Sequence, residues 1–179
     1  MPGPAIRKKT ELRQQRKEFE KNFPKRDLIF LLQDWDDAYN VGGMFRVGAA
    51  CGAAELILVG RTPCPPNPMI GVTSLGMHRS LPFRHFAKWG EAVAAVKEQG
   101  YSLIAVEVAD AAEHYMAYDY PERTCLVLGS EGAGVSNGLM RACEGSVVIP
   151  MYGKGRSLNV HVAGAIVGFE LMLRGTERG

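Results

Sequence analysis

The 179-residue sequence predicts an α/β domain: a mainly parallel sheet of about six strands flanked by helices. Three observations carry that expectation. Short, wholly apolar runs recur, as strands buried on both faces require. Segments of helical character separate them. Loops rich in glycine and polar side chains follow several of the runs, where open α/β sheets bind their ligands.

The elements follow in order. Leu28 to Leu32 (LIFLL) reads as a first buried strand. Asn40 to Gly52, rich in small residues, reads as a helix with Asn40 at its N-cap. Leu56 to Val59 is a second buried strand, and the four prolines between Arg61 and Pro68 demand a loop. Ile70 to Met77 is expected as a short helix and Phe83 to Phe86 as a short strand. Glu91 to Gln99 is an amphipathic helix that stops at Gly100, a residue suited to the left-handed turn after a helix. Leu103–Val108, Cys125–Leu128 and Val147–Ile149 supply three more strands. A helix follows Ser136, and a last one runs from Leu158 to about Arg174.

Composition narrows the function classes. The chain is 46% hydrophobic and 22% charged, as in ordinary globular proteins, and no run approaches the ~18 apolar residues of a membrane helix. Met1 to Arg16 is polar and basic, unlike a secretory signal, so a cytoplasmic protein away from membranes is expected. Cys51, Cys64, Cys125 and Cys143 form no C-x-x-C pair and read as reduced, buried thiols. His78, His85, His114 and His161 lack metal-ligand spacing, and no bound metal is expected.

Charge is unevenly placed. The formal net charge is +2, yet residues 1–26 hold nine Lys/Arg against three Glu, so the head carries +6 and the remainder −4. A basic arm on a mildly acidic body points to an anionic partner, with RNA ahead of membrane because the arm is poor in apolar residues. Leu12, Phe19 and Phe23 share one helical face, so residues 1–26 are expected as a basic helical extension and 27–179 as the folded body.

Three loops carry candidate chemistry. Asn40-Val41-Gly42-Gly43-Met44-Phe45-Arg46 opens the first body helix, and its arginine is suited to a phosphate. Gly129-Ser130-Glu131-Gly132-Ala133-Gly134 follows the strand ending at Leu128. It is half a dinucleotide fingerprint only: the third glycine position is Asn137, and no acid lies about 20 residues on. Ile149 to Val160 joins the last strand to the last helix and offers Ser157 and Asn159 as capping or hydrogen-bonding side chains.

Taken together, N-x-G-x-x-x-R, L-G-S-E-G-x-G and I-P-M-x-G-x-x-x-S-L-N-V resemble the three ordered motifs of the SpoU (TrmH-like) RNA 2′-O-ribose methyltransferases of the SPOUT superfamily, over residues 28–173. The resemblance implies a deep trefoil knot at the carboxyl end, with 129–134 and 149–159 as its crossings, and a homodimer formed through the motif-one helix and the last helix. Ala163, Gly164, Ala165 and Gly168 allow close approach there, or equally close packing inside one subunit. It implies S-adenosylmethionine held by Val106, Glu107, Leu128, Gly129, Ile149, Met151, Ser157 and Leu158. The central catalytic role falls on Arg46, with Asn40, Glu131, Ser157 and Asn159 orienting it and the ribose.

Two roles stay open for Arg46: a base that first passes its proton to a substrate phosphate, or a cation that stabilises the developing alkoxide. A guanidinium pKa above ~12 favours the second. Transfer RNA is favoured over ribosomal RNA as substrate, because the head lacks the compact RNA-binding domain that ribosomal members often carry. The chain also stops at Gly179, soon after the last helix, which departs from the transfer-RNA members with extensions at both ends. A catalytically silent RNA-binding protein of the same fold is disfavoured by the presence of every motif side chain. A small-molecule methyltransferase would leave the basic arm unexplained.

Overall fold

The structure, a computed structural model, describes residues 9–22, 27–155 and 157–174. In chain order the elements are α1 (Lys9–Asn22), β1 (Asp27–Gln33), α2 (Ala38–Ala50), β2 (Glu55–Val59), α3 (Pro68–Ser74), a 3-10 turn (Met77–Arg79), β3 (Phe83–Phe86), α4 (Trp89–Glu98), β4 (Ser102–Val106), β5 (Glu113–His114), β6 (Arg123–Leu128), α5 (Asn137–Met140), β7 (Gly145–Val148) and α6 (Val160–Arg174). The strands form one seven-stranded sheet in the order β3-β2-β1-β6-β4-β7-β5, parallel at every pairing. The strand beyond the six expected is β5, two polar residues at the sheet edge that no apolar run could announce.

The continuous apolar runs are explained by two cores on opposite sheet faces. Alternate residues Phe30, Leu32, Leu56, Leu58, Leu126 and Leu128 pack with Val41, Met44 and Phe45 of α2 and Val167 and Leu171 of α6. Their neighbours Ile29, Leu31, Ile57, Val59 and Val127 pack with Ala92, Val93 and Val96 of α4 and Leu139 of α5. Burying each such side chain stabilises the fold by about 1.5–3 kcal/mol. A strand with covered faces on both sides therefore needs apolar residues throughout.

Helix boundaries correct several expectations. Asp37, not Asn40, caps α2, its side chain accepting from the Tyr39 amide. α4 starts at Trp89, two residues before Glu91, and ends before Gly100, whose φ is +78°. α6 starts at Val160 rather than Leu158: Asn159 sits at the cap and accepts from the His161 amide at 3.1 Å, while Ser157 is exposed two residues earlier. Gly164 and Gly168 of α6 stand close to the subunit's own side chains. A Cβ on Gly164 would press on Met44 and Leu128, and one on Gly168 on Phe30 and Cys51.

α1 presents Arg13, Arg16, Lys17 and Lys21 to solvent, with Arg16 bridged to Glu20 at 2.7 Å. Leu12 is exposed too; Phe23 and the Phe19 side chain, expected on the same helical face, lie outside the described residues. The described cysteines are all free thiols. Cys51 and Cys125 are buried, whereas Cys64 and Cys143 are only partly so. Burial pushes the Cys51 thiol up to about 11 and Cys143 to about 12, which keeps both protonated and unreactive.

Candidate active site

β4, β6 and β7 lie side by side, so the loops leaving their carboxyl ends converge. Between them opens a cleft of about 330 Å³, within the size range of small-molecule sites. Its walls mix apolar side chains, Val106, Leu128, Ile149 and Leu158 among them, with the main chain of residues 129–134. All eight residues expected to hold a cofactor border it: Val106, Glu107, Leu128, Gly129, Ile149, Met151, Ser157 and Leu158.

The 129–134 loop keeps its shape through close backbone contact. Ser130 and Gly134 exchange backbone hydrogen bonds of 3.1 and 2.9 Å, and the Ser130 hydroxyl accepts from the Ala133 amide. A Cβ on Gly129 would overlap the Gly134 carbonyl and the Val135 nitrogen. Gly134 has φ +66°, and a Cβ there would run into the Glu107 carboxylate. That carboxylate accepts from the Val135 amide at 2.9 Å and from Val108 at 2.9 Å, so Glu107 ties the end of β4 to the loop after β6. By contrast, a Cβ on Gly132 would meet no protein atom within 4 Å. The open backbone at Gly132, at the border of a cleft with apolar walls, leaves room for a ligand.

Glu131 leads out of this cleft. Its carboxylate accepts from the Asn40 amide at 2.9 Å and from the Asp36 backbone N–H at 3.2 Å. Burial alone would raise the Glu131 carboxyl, but hydrogen bonds from Asn40 and from the backbone at 131, 36 and 37 outweigh it and hold the group below its ordinary range. Glu131 is therefore ionised at neutral pH and can only accept. Asn40, itself buried, must then turn its Nδ2 to Glu131 and its Oδ1 away. That oxygen accepts from Asn159 Nδ2 at 3.1 Å and faces His161 Nδ1 at 3.1 Å. One network thus ties α2, the 129–134 loop and the start of α6.

On the far side of Asn40 lies a shallow, mostly apolar depression, bordered by Tyr39, Gly43, Arg46, Val72, Leu75, His161 and Phe169, among others. Arg46 belongs here and does not border the cleft. Its side chain is exposed, and it has no hydrogen-bond or ion-pair partner among the described residues. The five candidate catalytic residues are accordingly divided. Asn40 joins Glu131 to Asn159, Ser157 borders the cleft, and Arg46, six residues beyond Asn40 on α2, borders the depression instead.

The sequence reading missed His161, which the network includes. Its two-residue spacing from Asn159 holds no signal, because the α2–α6 packing alone brings it to Asn40. Cleft residues Ser130, Gly132 and Gly134 were legible only as part of a glycine-rich loop, without a role of their own.

A ligand-sized cleft thus opens at the carboxyl ends of a parallel α/β sheet, and an Asn/Glu/Asn network joins it to a depression bordered by an arginine that has no partner among the described residues. The family model described as the SpoU rRNA Methylase family matches residues 27–169, and the chain belongs to that family. It is 32% identical over 165 residues to the tRNA (guanosine(18)-2′-O)-methyltransferase of Thermus thermophilus, covering 92% of this chain and 84% of the relative. The TrmH/SpoU tRNA modifying enzyme of A. aeolicus superposes with a TM-score of 0.77 at 25% identity, covering 94% of this chain and 86% of that one. The SpoU methyltransferase AviRb of Streptomyces viridochromogenes, solved with AdoMet, gives 0.79 at 26% identity over 88% of this chain, which spans 62% of that longer chain.

Proposed function

We propose that this protein methylates a ribose 2′-hydroxyl of a structured RNA, with transfer RNA as the substrate class and S-adenosylmethionine as methyl donor. The observation that carries the reading is the Glu131–Asn40–Asn159 network, which couples the cleft to the depression holding Arg46. The Thermus relative's name supports the substrate class and makes guanosine 18 the first position to test.

The cofactor supplies a methyl group on a sulfonium, and the rest is positioning and charge. The 129–134 backbone and the apolar walls of Val106, Leu128, Ile149 and Leu158 would hold it, with Glu107 bracing the loop and Met151 and Ser157 at the rim. Asn40 and Asn159, oriented by ionised Glu131, direct the ribose toward the cleft. Arg46 stays protonated and stabilises the negative charge that develops on the 2′-oxygen, helped by attraction to the neighbouring phosphate. Residues 129–134, 149–155 and 157–159 belong to the crossings of a carboxyl-terminal knot.

The working unit is a homodimer in the cytoplasm. Val72, Leu75 and Phe169, exposed by 58, 63 and 38%, make an apolar patch beside Arg46 that a second copy covers. RNA then enters along the seam between protomers. The exposed cations of α1, Arg13, Arg16, Lys17 and Lys21, contact phosphates. No helix among the described residues is long and apolar enough to cross a membrane.

The test is incubation with tritiated S-adenosylmethionine and, separately, bulk transfer RNA and ribosomal RNA, followed by nucleoside analysis. Label in a 2′-O-methyl nucleoside from transfer RNA is expected. Label in the ribosomal pool alone would move the substrate class, and label in neither would overturn the reading.

A further inference from the structure

A second cavity opens on the same edge of the sheet, at the carboxyl ends of β1, β2 and β3. It has a volume of about 570 Å³ and is bordered by Asp34, Val59, Gly60, Lys88, Trp89 and Glu91, among others. The methyl-transfer site does not use it. Asp36 links the two: it stands two residues beyond Asp34, and its backbone N–H reaches Glu131 at 3.2 Å.

Two side chains are presented to this cavity by unusual local structure. Asp34 has a left-handed backbone, φ +54°, an uncommon state outside glycine. The sheet imposes it, because the Asp34 N–H donates to the Val59 carbonyl at 3.1 Å and Trp35, next in the chain, is fully buried. The turn lays the Asp34 carboxylate on the bare backbone of Gly60, where a Cβ would meet its Oδ1. Oδ1 accepts from the Arg61 amide at 3.2 Å, whereas Oδ2 has no hydrogen-bond partner among the described residues. Trp89, the first residue of α4, is 38% exposed. One edge of its indole is braced by Gly138 of α5, where a Cβ would stand 2.8 Å from the ring. A Cβ on Gly90 would meet no protein atom within 4 Å, so the start of α4 beside the ring is open.

This combination reads a base and not a phosphate. The carboxylates of Asp34, Asp36 and Glu91 offset the cations Arg61 and Lys88, so no surplus positive charge draws the RNA backbone here. An exposed indole gives an unpaired base a stacking face. A carboxylate only accepts, so it selects bases by their donors. Guanine presents two adjacent donors on its pairing edge, N1–H and the N2 amino group, and a carboxylate takes both. Adenine and cytosine place an acceptor beside their amino group, and uracil flanks its single donor with acceptors.

We infer that this cavity holds an unpaired guanine of the substrate RNA, its ring on Trp89 and its N1–H and N2 amino group on the Asp34 carboxylate. The inference rests on the RNA methyltransferase reading above. It adds a contact that reads sequence beside a transfer site that acts on ribose.

The experiment uses the protein's own fluorescence, since Trp35 is buried and Trp89 exposed. The full-length protein, without methyl donor, is titrated with the pentaribonucleotides UUGUU, UUAUU, UUCUU and UUUUU. UUGUU is expected to quench the emission saturably and to bind about tenfold more tightly than the others, as a bidentate contact to a base edge discriminates. Trp89→Phe should lose the quench, and Trp89→Ala should weaken binding of fluorescein-labelled UUGUU about tenfold. Asp34→Asn keeps the turn, because asparagine tolerates the left-handed region, yet it should bind all four within about twofold. The same variant should raise KM for transfer RNA in methylation.

Wild-type binding that ignores the base, a quench that survives in Trp89→Phe, or a guanine preference kept by Asp34→Asn would overturn the assignment. An unchanged KM in Asp34→Asn would overturn its link to the substrate. The titration needs no methyl transfer, so those outcomes leave the methyltransferase reading intact. Failure to label either RNA pool would overturn that reading whatever the titration showed.

Discussion

Glu131 and Asn40, 91 residues apart in sequence, are joined by a 2.9 Å hydrogen bond that decides which way the Asn40 amide points. Everything attached to the Asn40 oxygen, including Asn159 and His161, inherits its geometry from that bond. Glu131→Gln removes the charge and allows the Asn40 amide to turn over. The methylation rate is expected to fall about 10- to 100-fold, the equivalent of ~1.5–3 kcal/mol for a hydrogen bond to a charged group. An unchanged single-turnover rate would show that the charge does not orient the amide.

The same carboxyl gives a stability signature. Its folded pKa lies below the unfolded value of about 4.3, so its contribution is complete above that value and lost as pH falls through the folded pKa. Denaturant titrations should therefore show wild type more stable than Glu131→Gln at pH 7, with the gap closing as pH drops below about 4. A gap independent of pH would assign the effect to packing instead.

Arg46→Ala should separate chemistry from cofactor binding. Arg46 lies outside the cleft, so the dissociation constant for S-adenosylmethionine, measured by calorimetry, is expected to stay within about twofold. Methylation should drop by about 10²- to 10³-fold or more, as when an oxyanion-stabilising group is removed. Retention of most activity would remove Arg46 from the chemistry.

Two glycines of one loop should behave in opposite ways. Gly129→Ala forces a Cβ into the Gly134–Val135 backbone and is expected to cost about 1–3 kcal/mol or more in thermal unfolding. Gly132→Ala meets no protein atom, so stability should hold while cofactor affinity weakens. If Gly132→Ala bound cofactor normally, that stretch of backbone would not be part of the cofactor wall.

Gly43→Ala probes the imidazole from the other side. Alanine favours a helix interior by about 0.8–1 kcal/mol over glycine, yet its Cβ would push the His161 ring by a few tenths of an ångström. Melting temperature is expected to hold or rise while the methylation rate falls. A rate that kept pace with stability would mean the ring tolerates displacement.

Removal of residues 1–24 should weaken transfer-RNA binding and flatten its dependence on salt, since each lost phosphate contact removes close to one unit from the log–log slope. Filter binding across 50–200 mM salt measures this, and an unchanged slope would exclude the arm from the interface.

Local pattern alone determined much of this protein. Wholly apolar runs such as Leu28–Leu32 mark strands covered on both faces, and glycine-rich loops after them mark where a ligand sits, because both signals reside in contiguous residues. The eight residues that border one cleft were named through the family resemblance that the three motifs carry, not through local pattern. Tertiary packing decided the rest. Asn40 looked like a helix cap, but Asp37 caps α2 and frees Asn40 to reach Glu131. Arg46 borders the depression and not the cleft, and His161 reaches Asn40 only because α6 lays it on Gly43. Hydrogen bonds that span 91 to 121 residues depend on which helices pack together, and no local periodicity encodes that choice.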